Sequence, residues 1–169
     1  MKPLTNKIRL LSVLICINLL SACATPQQTK TEYLFFKTAG DQLPISKVTD
    51  IDGNPVDLNK PNKRKLVILF ATWCSDSQRA LTALNSSQLL KEEDLEIIAI
   101  AREETNEIVS KFKQERGFTF TMAADPKREI YSKFANAGIP RFIMVDKNNT
   151  IIDHVVAEGE NQLDKIHWN

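Results

Sequence analysis

The hydrophobic pattern contains two near-continuous apolar runs, at residues 66–70 and 95–101. Short apolar runs bounded by polar residues are typical of strands that are buried on both faces, as in a parallel sheet. The first run leads to Trp73 and Cys74 and is followed, from 75 to about 90, by a segment with helical spacing. We therefore expect residues 66–70 to form the central strand, with Cys74 at the start of the next helix.

The rest of the pattern alternates between the two kinds of element. Helical spacing covers 103–116, where Gly117 stops the helix, and a helix capped by Asp125 is predicted to reach about residue 135. A short final helix is predicted at 160–168. Extended segments are predicted at 33–36 (an edge strand), 43–48 and 56–58 (a hairpin around a glycine turn), 119–123, and 141–145 with 151–156 (a second hairpin). This order predicts an α/β fold with a central mixed β-sheet flanked by helices.

The N-terminus does not fit that fold. Positive residues precede an apolar stretch at 10–20, which is short for a transmembrane helix and ends in Leu-Ser-Ala-Cys23. This ending resembles the lipobox of bacterial lipoproteins, which implies cleavage before Cys23 and lipidation of its sulfur. The resulting division is a signal peptide at 1–22, a lipid-anchored tether at 23–32 and a folded domain at 33–169. A plain secretory signal or an uncleaved anchor remains the alternative.

The cysteine count leaves one free thiol in the mature chain. Of the three cysteines, Cys16 lies in the signal segment and Cys23 carries the predicted lipid, so Cys74 alone remains free in the mature chain. An intramolecular disulfide is therefore excluded. A helix N-terminus stabilises a thiolate, and the thiolate is the nucleophilic form of cysteine. Cys74 is accordingly the candidate nucleophile.

Composition removes several classes of function. The chain has 169 residues, which suits one domain, and a formal net charge of +1 with no basic patch, so nucleic acid is not an expected partner. His154 and His167 are far apart in the sequence and have no cysteine pair beside them. No metal site and no cofactor are predicted, and His154 is expected to be a surface or edge-strand residue.

Two motifs together resemble the thioredoxin-like superfamily. They are Phe-Ala-Thr-Trp73-Cys74 and Gly138-Ile139-Pro140. The nearest branch comprises membrane-anchored thiol–disulfide oxidoreductases and thiol antioxidants. The resemblance implies a thioredoxin-like fold with an N-terminal β-hairpin extension. It also implies that Cys74 attacks disulfides, that Pro140 is the cis-proline, and that Ile139 offers backbone groups to an extended substrate. Trp73 either shields the thiol as a substrate contact or simply packs.

The chain departs from the Cys-x-x-Cys pattern of that family. Ser77 occupies the second cysteine position; its hydroxyl can hydrogen-bond a thiolate but cannot resolve a mixed disulfide. The acidic positions of the family hold Ile68 and Ala80 instead. Arg141, next to Pro140, is expected either to meet an acidic substrate or to be solvated at a strand end.

Three functions remain open at this point. The first is a monothiol oxidoreductase or isomerase that forms mixed disulfides through Cys74, with Ser77 beside it, acting on proteins that contain disulfides or thiols. The second is a non-catalytic binding module that uses Trp73, Ile139 and Pro140. The third is a one-cysteine peroxidase, which the alanine at position 71 disfavours because peroxiredoxins have threonine there. In each case we expect a monomer tethered in the bacterial cell envelope, facing the periplasm and favouring the outer membrane.

Overall fold

The computed structural model describes residues 32–168. The predicted signal peptide, Cys23 and nearly all of the tether therefore lie outside the described residues. Within the described part, no helix combines the length and apolar character that crossing a membrane would require.

Five strands form one mixed sheet in the order β5–β4–β3–β6–β7, and two more form a separate hairpin. Strands β3, β4 and β5 are parallel, whereas β6 and β7 are antiparallel to their neighbours. The predicted α/β fold with a central mixed sheet is confirmed. The strands are β1 (Lys47–Thr49), β2 (Pro55–Asp57), β3 (Arg64–Phe70), β4 (Leu95–Arg102), β5 (Thr121–Asp125), β6 (Arg141–Val145) and β7 (Ile151–Val156).

Strand β3 lies in the middle of the sheet and has no exposed apolar side chain. Its residues 66–70 all have 0% exposure. Alternate side chains of a strand point to opposite faces. Leu66, Ile68 and Phe70 pack on one face with the helices, while Val67 and Leu69 pack on the other with the β1–β2 hairpin. The prediction of a doubly buried central strand is confirmed.

Two α-helices cover the first face, α1 (Ser75–Asn85) and α2 (Asn106–Arg116). Helix α1 is shorter than predicted: a 3₁₀ turn at Gln88–Lys91 follows it. The Ser87 hydroxyl donates a hydrogen bond to the Leu84 carbonyl at 2.8 Å, a local bond of the kind that competes with helix continuation. Helix α2 ends as predicted at Gly117, which adopts a left-handed conformation with φ of 64°.

The predicted helix from Asp125 to residue 135 is wrong. Asp125 ends β5, and its carboxylate accepts the N–H groups of Ile130 at 3.0 Å and Tyr131 at 2.7 Å. A helix cap bonds groups two or three residues away, so these longer contacts close a loop instead. Only a 3₁₀ turn, Tyr131–Lys133, forms there. The final helix is likewise reduced to a 3₁₀ turn, Gln162–Lys165, and the edge strand at 33–36 to one bridge, Phe35 with Ala135.

Arg141 and His154 are buried together under the start of the described chain, which corrects the expectation for Arg141. His154 lies on β7, an edge strand of the sheet, which is one of its two predicted positions. Arg141 has 0% exposure and His154 6%. The guanidinium lies 4.5 Å from the centre of the Phe35 ring, and its Nη1 lies 3.2 Å from His154 Nε2. A guanidinium only donates hydrogen bonds, so Nε2 accepts, and Nδ1 donates to the Lys37 carbonyl at 2.7 Å. Arg141 therefore belongs to the interior and is neither solvated nor free for a substrate.

His154 makes the stability of the fold depend on pH. Burial lowers its pKa to about 4, and the charge of Arg141 acts in the same direction against the hydrogen bond to Lys37. In the unfolded chain the imidazole takes up a proton near pH 6.5. As the pH falls from about 6.5 to about 4, we expect this histidine to lower the free energy of unfolding by about 3 kcal/mol, since each pKa unit corresponds to about 1.4 kcal/mol.

Denaturant unfolding at several pH values measures this contribution. The His154→Gln variant should lose that part of the pH dependence, whereas His167→Gln, at an exposed position, should keep it. Parallel loss of stability on acidification in the wild type and His154→Gln would contradict the assignment.

Candidate active site

Cys74 is the N-cap of α1, four residues beyond the end of β3. Its backbone is extended, with φ of −82° and ψ of 120°, and its carbonyl accepts the first helical hydrogen bond from Gln78 N–H at 2.9 Å. The side chain is partly exposed and free. Its sulfur accepts the Ser77 N–H at 3.5 Å, so one of the amide groups that lack a helical partner at the start of α1 points at the thiol. This is the position predicted from the pattern.

The loop before β6 faces the same sulfur. The Ile139–Pro140 peptide bond is cis, and the Cys74 thiol donates a weak hydrogen bond to the Ile139 carbonyl at 3.7 Å. The Pro140 carbonyl accepts the Ala157 N–H at 2.8 Å, which ties the loop to the chain after β7. Among residues 32–168, the N–H of Ile139 donates no hydrogen bond. The structure therefore brings Cys74 and Ile139 together and leaves a backbone donor beside them.

Ser77 contacts the thiol through its backbone. The residue has 0% exposure, and its hydroxyl oxygen accepts the Ala71 N–H at 3.4 Å. The contact that the structure records with the sulfur is the one from the Ser77 N–H, not the hydroxyl contact expected from the sequence. The hydroxyl instead holds the turn between β3 and α1.

Trp73 projects away from the core. Its exposure is 66%, and its ring centre lies 6.0 Å from the guanidinium carbon of Arg102. An aromatic ring of this size usually buries most of its area. An exposed tryptophan directly beside a free thiol offers contact area to another molecule.

Glu104 is a site residue that the sequence analysis missed. It follows β4, is only 5% exposed, and both carboxylate oxygens accept the Thr72 N–H at 3.1 Å. The Thr72 hydroxyl donates to the same carboxylate at 2.7 Å, and the Gln78 amide donates to the Thr72 carbonyl at 2.6 Å. Thr72 is thereby held on both sides, two residues before the thiol. The adjacency of the carboxyl ends of β3 and β4 in a parallel sheet could have revealed this contact.

The two positions at which the family carries acidic residues hold apolar, buried residues in this chain. Ile68 has 0% exposure and Ala80 has 1%. Asp76, in the first turn of α1, pairs with Arg79 on the next turn, and Arg79 also donates to the Gly159 carbonyl at 3.2 Å. The part of the chain that the structure describes contains no cluster of histidine, cysteine and acidic residues that could hold a metal ion.

Comparison with curated proteins finds thiol–disulfide oxidoreductases. The chain is 30% identical over 122 residues to the thiol–disulfide oxidoreductase ResA of Bacillus thuringiensis subsp. konkukian, with 70% of each chain covered. It is 29% identical over 122 residues to the ResA protein of Bacillus anthracis, again covering 70% of each.

Solved structures show the same architecture. A candidate protein disulfide isomerase from Bacteroides thetaiotaomicron superposes with a TM-score of 0.73 at 25% identity, covering 79% of this chain and 88% of that one. A secreted disulfide oxidoreductase of Mycobacterium tuberculosis superposes with a TM-score of 0.59 at 18% identity, covering 70% and 89%, a likeness that bears on the fold alone. The thioredoxin-like fold predicted from the two motifs is confirmed.

Residues 38–166 match the Redoxin family. The match spans the central sheet, both helices, the thiol at Cys74 and the loop at Pro140. By this match the chain belongs to the Redoxin family and carries its thioredoxin-like fold.

Proposed function

We propose that this protein is a membrane-tethered monothiol member of its family, which forms mixed disulfides with partner proteins through Cys74. The observation that carries the proposal is the thiol at the N-terminus of α1, facing the carbonyl of Ile139 and lacking a second cysteine at Ser77. The similarity to thiol–disulfide oxidoreductases supports the same chemistry.

The exchange step needs only one cysteine. The Cys74 thiolate attacks one sulfur of a partner disulfide, a new S–S bond forms, and the other partner sulfur leaves as a thiolate that takes up a proton. A second thiol must then displace Cys74. If that thiol belongs to the partner, the disulfide is rearranged with no net oxidation. If it is an external thiol, it leaves joined to the partner in a new disulfide, and a second external thiol must break that bond; the partner then has two thiols and the two external thiols have become one disulfide. Ser77 cannot take this role because a hydroxyl forms no disulfide.

We expect the Ile139 loop to hold the partner. Its carbonyl accepts the S–H of Cys74 in the free protein. In a mixed disulfide the sulfur has no hydrogen, so that carbonyl becomes free beside the Ile139 N–H. A donor and an acceptor on one residue match the backbone of an extended partner segment. The exposed ring of Trp73 would cover the apolar part of the same segment.

The tether follows from the sequence before the described residues. Cleavage before Cys23 and lipidation there would hold the domain in the bacterial cell envelope, facing the periplasm, with alanine at position 24 favouring the outer membrane. Several acyl chains, each contributing about 0.8 kcal/mol per buried CH₂, anchor a protein durably.

A second function, a non-catalytic binding module, is favoured by one observation. Ser77 is fully buried and holds the turn before α1, so the second cysteine position contributes to the fold without chemistry. In that case Trp73 and the Ile139–Pro140 loop would hold extended chains, and the Cys74 thiol would be dispensable.

Trapping distinguishes the two functions. The mature lipoprotein is isolated from its own cells after acid quenching and compared with Cys74→Ala on non-reducing gels. Because no resolving cysteine is present, we expect discrete higher-mass adducts that disappear with reductant and with Cys74→Ala. A monomer band with a free Cys74 thiol in the wild type would overturn the exchange function and leave the binding module.

Ser77→Cys should convert the protein to a two-cysteine enzyme. The Ser77 amide already lies 3.5 Å from the Cys74 sulfur, so a thiol at this position can attack the mixed disulfide from within the chain. We expect the trapped adducts to become scarce and an intramolecular disulfide to appear by mass spectrometry. Ser77→Ala is the matched control and should retain the adducts; equal adduct levels in all three proteins would argue against the assigned role of this position.

Glu104→Ala should loosen the loop that presents the thiol. The substitution leaves the Thr72 N–H and hydroxyl without their acceptor, and an unsatisfied buried donor costs about 1–3 kcal/mol. We expect lower stability in urea and an altered rate of Cys74 alkylation, both largely restored in Glu104→Gln. Glu129→Ala, at an exposed position, is the control. An unchanged alkylation rate in Glu104→Ala would remove Glu104 from the site.

A further inference from the structure

The described chain begins at the end of the domain that carries the thiol. Arg141, the first residue of β6, pairs with Leu69 near the carboxyl end of β3. The Tyr33 ring lies against the loop just before Arg141: a Cβ built on Gly138 would be 3.2 Å from it. The Glu32 carbonyl accepts a hydrogen bond from the Asn136 amide at 2.9 Å.

From there the chain runs away from the active-site end, alongside β7. The Lys37 carbonyl meets His154, the Gly40 N–H donates to Ile151, and the Leu43 N–H donates to Asn149, the last two at 2.9 Å. The described chain therefore starts beside the loop that faces Cys74.

Three consecutive apolar side chains are exposed at this start, and we call residues 34–36 the apolar segment. Leu34 is 45% exposed, Phe35 39% and Phe36 49%. Two of its three backbone amides are nevertheless paired inside the domain: the Leu34 N–H donates to the Asn136 side chain and the Phe36 N–H to the Phe134 carbonyl, both at 2.8 Å. Each amide paired inside the domain lowers the cost of laying the apolar side chains against hydrocarbon.

We propose that the apolar segment rests on the lipid bilayer and turns the Cys74 end of the domain toward the membrane surface. The inference depends on the lipid anchor described under Proposed function. The tether from 23 to 31 has nine residues, which span at most about 30 Å when extended, since each residue covers about 3.3–3.6 Å. The bilayer is thus the apolar surface that this segment can always reach.

Apolar contact, more than charge, drives this docking. Exposed charges of both signs lie nearby, Lys133 next to Phe134 and Glu32 at the start of the segment. Zwitterionic lipid should therefore suffice for the apolar segment to bind the bilayer. Aromatic side chains favour the boundary between headgroups and acyl chains. Partners of Cys74 would accordingly present their disulfides at or in the membrane surface.

Tryptophan quenching by brominated lipids tests the orientation. The full lipoprotein is reconstituted in phosphatidylcholine vesicles with and without brominated acyl chains, and flotation verifies the anchor. The reporter protein carries Phe36→Trp with both native tryptophans replaced by phenylalanine. The control carries Trp73→Phe and keeps Trp168, which lies 4.7 Å from Arg64 at the opposite end of β3. Leu34→Trp provides a second reporter.

We expect brominated lipid to remove most of the reporter emission and to leave the Trp168 emission unchanged. Adding Leu34→Asp to the Phe36→Trp protein should restore the emission. No quenching of either reporter in protein that floats would overturn the proposal while leaving the anchor intact. Reporter emission that depends on the amount of protein per vesicle, and not on bromination of the lipid, would also overturn the proposal, because a second copy of the chain would then cover the segment. Failure to float would overturn the anchor and this proposal together, whereas adduct trapping at Cys74 tests the chemistry separately.

Discussion

The burial of β3 on both faces is the constraint on which the rest of the structure depends. Its five apolar side chains are shared between the helical layer and the hairpin layer, so the strand cannot slide or rotate without exposing one set. Because the strand is fixed, so is the turn after it. The thiol at Cys74 therefore meets the Ser77 amide of α1 and the carbonyl of Ile139 in a single arrangement.

The site keeps the backbone arrangement around Cys74 and Pro140, which we call the frame, and differs from the Cys-x-x-Cys pattern at its second cysteine position. The cis bond before Pro140 and the N-cap position of Cys74 belong to the frame. Ser77 has become part of the interior, where its hydroxyl supports the turn. Under the proposed function, a buried serine at this position removes only the step in which Cys74 is released from its partner within the chain. In that function, capture needs only Cys74, and release depends on a second thiol.

The sequence predicted the central strands and the end of α2 well, because these elements depend on the residues within them. Apolar runs identified β3 and β4, and a glycine identified the end of α2. The failures came from contacts between distant residues. Asp125 has the sequence of a helix cap, but its carboxylate bonds amides across a loop. Arg141 and His154 are polar in any sequence-based scale, and only the chain folded over them makes them interior. Glu104 meets Thr72 across neighbouring strands, which no spacing along the chain reports.

The contact between Arg141 and Phe35 has a consequence for where this domain begins. The family match starts at residue 38, yet the aromatic cover of the guanidinium and the acceptor for His154 Nδ1 come from residues 35 and 37. A fragment cut at the family boundary would expose a buried cation and remove the acceptor of a buried imidazole. The folding unit is therefore longer than the homologous unit, and the last residues before the family boundary cover part of the domain's interior.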